Sequence, residues 1–84
     1  MLYYLSMDKN VTIYSTPVCH FCHAAKEYFA SNNVTYTEFD VASDAEKRPA
    51  MIEMTGQMGV PVIRMGDDVV VGFDEGKFKE LLAA

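Results

Sequence analysis

The chain is 84 residues long and half hydrophobic, which is room for one compact domain with a modest core and no second domain. Its formal net charge of -5, with seven scattered Lys and Arg, argues against a nucleic-acid binder, which needs a basic face to replace counterions along the phosphates. No apolar run approaches the roughly 18 residues that span a bilayer, and the opening MLYYLSMDKN lacks the basic region and long apolar stretch of a signal peptide. A cytoplasmic monomer without nucleic-acid or membrane partners is expected.

Met7 stands directly before the first strand-like run, so residues 1–10 read as an N-terminal extension, partly disordered, and residues 1–6 as an upstream start outside the fold. Residues 11–84 form the predicted domain. Val11, Thr12, Ile13 and Tyr14 are a β-branched and aromatic run, the composition of a strand, and Ser15-Thr16-Pro17 turns the chain after it. From residue 18 to 31 the pattern becomes helical, with Ala25, Tyr28 and Phe29 on one face and Asn32-Asn33 offering a left-handed exit. Residues 34–41, again rich in Val, Thr, Tyr and Phe, predict a second strand, and the order strand, helix, strand favours a parallel pair.

Ser43-Asp44-Ala45-Glu46 has capping-box spacing, which predicts a second helix starting there with Ser43 as its cap. Pro49 complicates it, because a proline past the first turn removes a hydrogen bond and clashes, so a kink or restart before Ala50 is expected. Thr55-Gly56 ends this helix. Residues 61–65 and 69–71 predict two strands around Gly66-Asp67-Asp68, an antiparallel hairpin. Asp74 is a predicted N-cap for the last helix, with Phe73 and Phe78 at the spacing of a hydrophobic staple and Leu81 and Leu82 on the buried face. Strands and helices in the order βαβ-α-ββα make an α/β fold, a mixed four-stranded sheet with about three helices.

Both cysteines of the chain lie in Cys19-His20-Phe21-Cys22, between the first strand and the first helix. Two cysteines in one short motif cannot supply long-range staples, so their role is chemical. At a helix N-terminus the unpaired N–H groups and the helix dipole favour negative charge, which makes Cys19 the thiolate nucleophile. Cys22, one turn on, is placed to attack a mixed disulfide formed at Cys19 and is the resolving thiol. Haem attachment through Cys19-His20-Phe21-Cys22-His23, with a methionine as axial ligand, matches the same letters, but the strand-rich pattern does not suit a small helical cytochrome. Zinc is disfavoured because four ligands within five residues can hardly surround an ion tetrahedrally, and no metal site is expected. His20, between the cysteines, is a candidate for tuning the thiolate when protonated.

Tyr14-Ser15-Thr16-Pro17, the cysteine motif, the segment 55–61 and Val71-Gly72-Phe73-Asp74 together resemble the glutaredoxins and glutaredoxin-like redoxins. The resemblance runs from Val11 to Leu82 and implies a thioredoxin-like fold of glutaredoxin type. It implies a dithiol oxidoreductase that reduces protein disulfides or glutathione mixed disulfides and holds no permanent cofactor. Glutathione or thioredoxin reductase is the implied source of electrons. It also implies that Pro61 has a cis peptide bond and faces the cysteines, which leaves the Val60 backbone free to pair with an extended substrate. By the same resemblance Gln57 contacts the glycine carboxylate of glutathione, and Phe73 and Asp74 receive its glutamyl end. Thr16 where many glutaredoxins have Lys, and Gly72-Phe73 where many have Gly-Gly, are departures. The second is shared with redoxins that draw electrons from thioredoxin reductase and serve ribonucleotide reductase. An iron–sulfur cluster carrier, held through the first cysteine and glutathione, is a further alternative within this fold.

Overall fold

The structure is a computed structural model that describes residues 10–83. Expectations for residues 1–9 lie outside the described residues. The elements run β1 (Val11–Ser15), α1 (His20–Ser31), β2 (Thr37–Asp40), α2 (Lys47–Thr55), β3 (Val62–Met65), β4 (Asp68–Val71) and α3 (Glu75–Ala83). The strands form one sheet in the order β2-β1-β3-β4, with β1 and β2 parallel and the other neighbouring pairs antiparallel. A central β1 follows from this order, and the chain leaving its C-terminal end carries the cysteines.

Side chains alternate across a strand, and that alternation divides the core in two. Val11 and Ile13 of β1 join Ile63, Met65 and Val70 beneath α1 and α3, whose Ala25, Phe29, Phe78 and Leu81 close that face. Tyr14 and Val62 point to the other face, where Met51 of α2 and Val41 cover them. Phe29 and Phe78 are fully buried with ring centroids 5.0 Å apart, and burying rings of this size contributes about 2–3 kcal/mol each. This contact fixes α1, and with it the cysteine motif, against α3.

Local signals explain most of the boundaries. Asn33 takes the left-handed conformation (φ 59°) that lets the chain leave α1, and Gly56 (φ 75°) does the same for α2 while its N–H donates to the Ile52 carbonyl. Gly66, also at positive φ, opens the tight turn between β3 and β4, and its N–H donates to the Asn10 carbonyl. Asp74 caps α3, its Oδ1 accepting the Lys77 N–H at 3.1 Å, and Phe73 meets Phe78 at 5.6 Å as the predicted staple.

Three expectations are corrected. Helix α1 starts at His20, not at residue 18, because Cys19 is extended and acts as its N-cap. Strand β2 is only four residues long, its pairing with β1 running from Thr37 to Asp40, shorter than the expected 34–41. Helix α2 begins at Lys47, later than the capping-box spacing predicts. Asp44 rather than Ser43 supplies the cap, its Oδ1 accepting the Glu46 and Lys47 N–H groups at 3.0 and 3.1 Å. The late start places Pro49 third in α2, near the beginning of the helix, where proline is tolerated.

Candidate active site

The site is built where β1 ends and α1 begins. Ser15 is the last residue of β1, and the turn that follows closes with the Cys19 N–H donating to the Thr16 carbonyl at 3.3 Å. Cys19 then caps α1: its Sγ accepts the Cys22 N–H at 3.1 Å, and its carbonyl accepts the His23 N–H, starting the helical ladder. One N–H of the first turn, that of Cys22, thus points at the Cys19 sulfur, an arrangement that favours a thiolate. Cys19 is half-buried, whereas Cys22 is fully buried on the core side of α1. The two are joined by a disulfide with Cα atoms 5.2 Å apart, within the span a disulfide bridges. One accessible sulfur and one hidden sulfur, one helical turn apart, can exchange thiol and disulfide with an external partner.

The Val60–Pro61 peptide bond is cis, as the resemblance implies. Pro61 is buried and its carbonyl accepts the Gly72 N–H at 2.8 Å, which ties the segment before β3 to the end of β4. Val60 is half-buried beside the α2 cluster. Among the described residues no backbone hydrogen bond outside the regular elements uses Val60.

The other expected residues have local partners. The Gln57 amide closes its own loop: Nε2 donates to the Gly59 carbonyl at 3.1 Å and Oε1 accepts the Gly59 N–H. A Cβ at Gly59 would lie 2.7 Å from that Oε1, so the clasp needs glycine there. The Phe73 ring packs on Tyr28 and Phe78 at 6.4 and 5.6 Å, which turns it toward the core of α1 and α3. Asp74 is exposed and carries the α3 cap already described. The Tyr28 hydroxyl near this corner titrates above its ordinary range, first because burial penalises the phenolate and second because Glu75 repels it.

Exposed apolar side chains stand in and beside the motif and in the loop before Pro61. Val18 is 92% exposed, Phe21 58% and Met58 68%, and His20 stands edge-on to Phe21 with centroids 5.5 Å apart. Such large exposed side chains beside a reactive pair have the character of a contact surface.

A polar group behind the motif was not foreseen. Ser15, only 1% exposed, donates from Oγ to Glu38 Oε2 at 2.7 Å, and Lys26 Nζ lies 2.9 Å from the same oxygen. The Ser15 hydrogen bond first, and the Lys26 hydrogen bond next, hold the Glu38 carboxyl below its ordinary range. His23 adjoins this group and its Nε2 is 3.4 Å from the Pro17 carbonyl. The signal was present in β2, where Glu38 pairs in register with the core residue Ile13, so an acid stands where the alternation calls for an apolar side chain.

A mixed sheet flanked by helices, with a cysteine pair at the start of the first helix and a cis-proline before the third strand, defines the thioredoxin-like class of redox proteins. The sequence model of the glutaredoxin family matches residues 11–70, and the chain belongs to that family. It is 38% identical over 72 residues to an uncharacterized glutaredoxin-like 8.6 kDa protein of the rubredoxin operon of Clostridium pasteurianum, covering 86% of this chain and 96% of that one. It is 35% identical over 66 residues to glutaredoxin 3 of Escherichia coli, covering 79% and 80%. Among solved structures it resembles the glutaredoxin-like NrdH-redoxin of Escherichia coli, with a TM-score of 0.78 and 26% identity over 86% of this chain and 93% of that one. A glutaredoxin-like redox function follows from family and cysteine pair together.

Proposed function

We propose that this chain is a dithiol reductase of protein disulfides, with Cys19 as the attacking and Cys22 as the resolving thiol. The observation that carries the assignment is the Cys22 N–H donating to Cys19 Sγ at the head of α1, with Cys22 itself buried. The Cys19 thiolate attacks one sulfur of a substrate disulfide, the substrate S–S bond breaks, and the departing thiolate takes a proton from solvent. Cys22 then loses its proton and attacks Cys19 sulfur. The second substrate thiol leaves, and the Cys19–Cys22 disulfide closes. Two electrons have passed from the pair to the substrate.

A protein substrate is favoured over glutathione by the rim of the site. Val18, Phe21 and Met58 are exposed, and residues 16–21, 57–61 and 72–73 include no Lys or Arg to meet the two carboxylates of glutathione. An extended protein segment, by contrast, gains from apolar contact and from the free Val60 backbone. The same rim supports a reductase protein as the electron donor, and the thioredoxin-like activity profile ascribed to the NrdH-redoxin agrees with that reading.

The test compares the rates at which the oxidised protein is reduced by thioredoxin reductase with NADPH and by glutathione with glutathione reductase. The faster rate is expected with thioredoxin reductase, and a faster glutathione rate overturns the donor assignment. Cys19→Ser abolishes protein disulfide reduction, whereas Cys22→Ser accumulates a mixed disulfide. Retained activity in Cys19→Ser with loss in Cys22→Ser reverses the roles.

A further inference from the structure

The polar group behind the motif gives the chain a second level of control over its thiol, a reading that rests on Cys19 being the attacking residue. We propose that Lys26 and Glu38, paired on Ser15, act on the acidity of Cys19 in opposite and balanced senses: the Lys26 ammonium favours the thiolate and the Glu38 carboxylate offsets it. Both are positioning residues that act through the field at the sulfur.

The placement carries the proposal. Lys26 follows Cys22 by four residues on α1, so the two are neighbours on the helix surface with Cβ atoms about 6 Å apart. Cys19 is seven residues from Lys26, about 10 Å along the helix axis. Glu38 reaches the same place from β2 on the α1 side of the sheet, since its register partner Ile13 is buried beneath α1. A single carboxylate oxygen accepts from Ser15 at 2.7 Å and from Lys26 at 2.9 Å. Strand β1, strand β2 and helix α1 therefore meet at one cluster, in which Ser15 stands four residues before the nucleophile and Lys26 four after the resolving thiol.

At 2.9 Å separation the two opposite charges largely offset each other at a sulfur about 10 Å away along the helix axis. Removing either one leaves the other uncompensated, and the effects on Cys19 have opposite signs. A lone unit charge at that distance, partly screened by solvent, moves a thiol by about half a pH unit. The other titratable groups on these elements include Tyr14 on β1, His20, His23, Glu27 and Tyr28 on α1, and Asp40 on β2, with Asp74 and Glu75 at the head of α3. They are common to all variants, so the comparison isolates the pair.

A purely mechanical clamp predicts otherwise. Losing either partner would then loosen the same contact and shift the thiol in the same direction, or not at all.

The experiment is the pH dependence of iodoacetamide alkylation of the fully reduced protein, with the alkylated cysteine assigned by peptide mass. Lys26→Met raises the apparent thiol pKa by about half a unit, Glu38→Gln lowers it by a similar amount, and the double variant returns near the parent. Lys26→Arg retains the parent value. Shifts of the same sign in the two single variants, or neither exceeding about 0.2 units, overturn the proposal. Circular dichroism identifies a variant that fails to fold, and Lys26→Gln or Glu38→Met then replaces it with the same sign expected. Alkylation first at Cys22 refutes the role assignment of the cysteines instead, and the sign rule is then judged at Cys22 by the same criterion.

Discussion

Replacing Asp74 separates two roles that one carboxylate can hold. As the N-cap of α3 its Oδ1 accepts the Lys77 N–H, and α3 brings Phe78 and Leu81 into the core, so loss of the cap is felt by the whole domain. Removing a side-chain cap costs about 1 kcal/mol, while asparagine caps nearly as well as aspartate. With a urea dependence of about 1 kcal/mol per molar for a domain this small, Asp74→Ala lowers the unfolding midpoint by about 1 M and Asp74→Asn by a few tenths. If Asp74 also receives the amino group of a glutamyl end, Asp74→Asn slows reduction by glutathione about two- to fivefold, the worth of one exposed ion pair. The assays are urea unfolding followed by circular dichroism and the glutathione-coupled reduction rate. Equal destabilisation by Ala and Asn refutes the capping argument, and an unchanged glutathione rate in Asp74→Asn removes Asp74 from the binding site.

Phe29→Ala empties the contact between α1 and α3; the expected loss is about 3–5 kcal/mol in denaturant unfolding, and a loss below about 1 kcal/mol contradicts the core assignment. Because the Glu38 carboxyl titrates below its unfolded value, the stability it contributes is present above the unfolded pKa of about 4.3 and is lost as pH falls through the folded value. Ser15→Ala takes away the largest cause of that depression, so its stability at pH 7 falls and its further loss on acidification is shallower than the parent's; parallel curves from pH 7 to pH 3 would refute the linkage. Substituting both Phe21 and Met58 by Ser raises the KM for a protein disulfide about tenfold, the worth of a little over 1 kcal/mol of apolar contact, and raises it less for a small dialkyl disulfide. An equal change for both substrates argues against a protein-binding rim.

The sequence alone determined the features that depend on neighbours along the chain. Runs of β-branched and aromatic residues marked the strands, three- and four-residue spacing marked α1, positive-φ exits were readable at Asn33 and Gly56, and Asp74 with Phe73 and Phe78 announced the start of α3. The cysteine spacing, together with its position between strand and helix, identified the redox centre for the same reason: a helix N-terminus and a one-turn separation are local properties. Where local signals competed, tertiary structure decided. Asp44 displaced Ser43 as the cap of α2, and β2 pairs with β1 only from Thr37 to Asp40. The contacts of Gln57 with Gly59 and of Phe73 with Tyr28 and Phe78 emerge only when the loop and the helices close. The meeting of Ser15, Lys26 and Glu38 lay furthest from view, because three residues separated by as many as 23 positions share one oxygen only after β1, β2 and α1 have packed. The cysteine pair was thus legible in a four-residue motif, and the polar group packed behind it was a product of the fold.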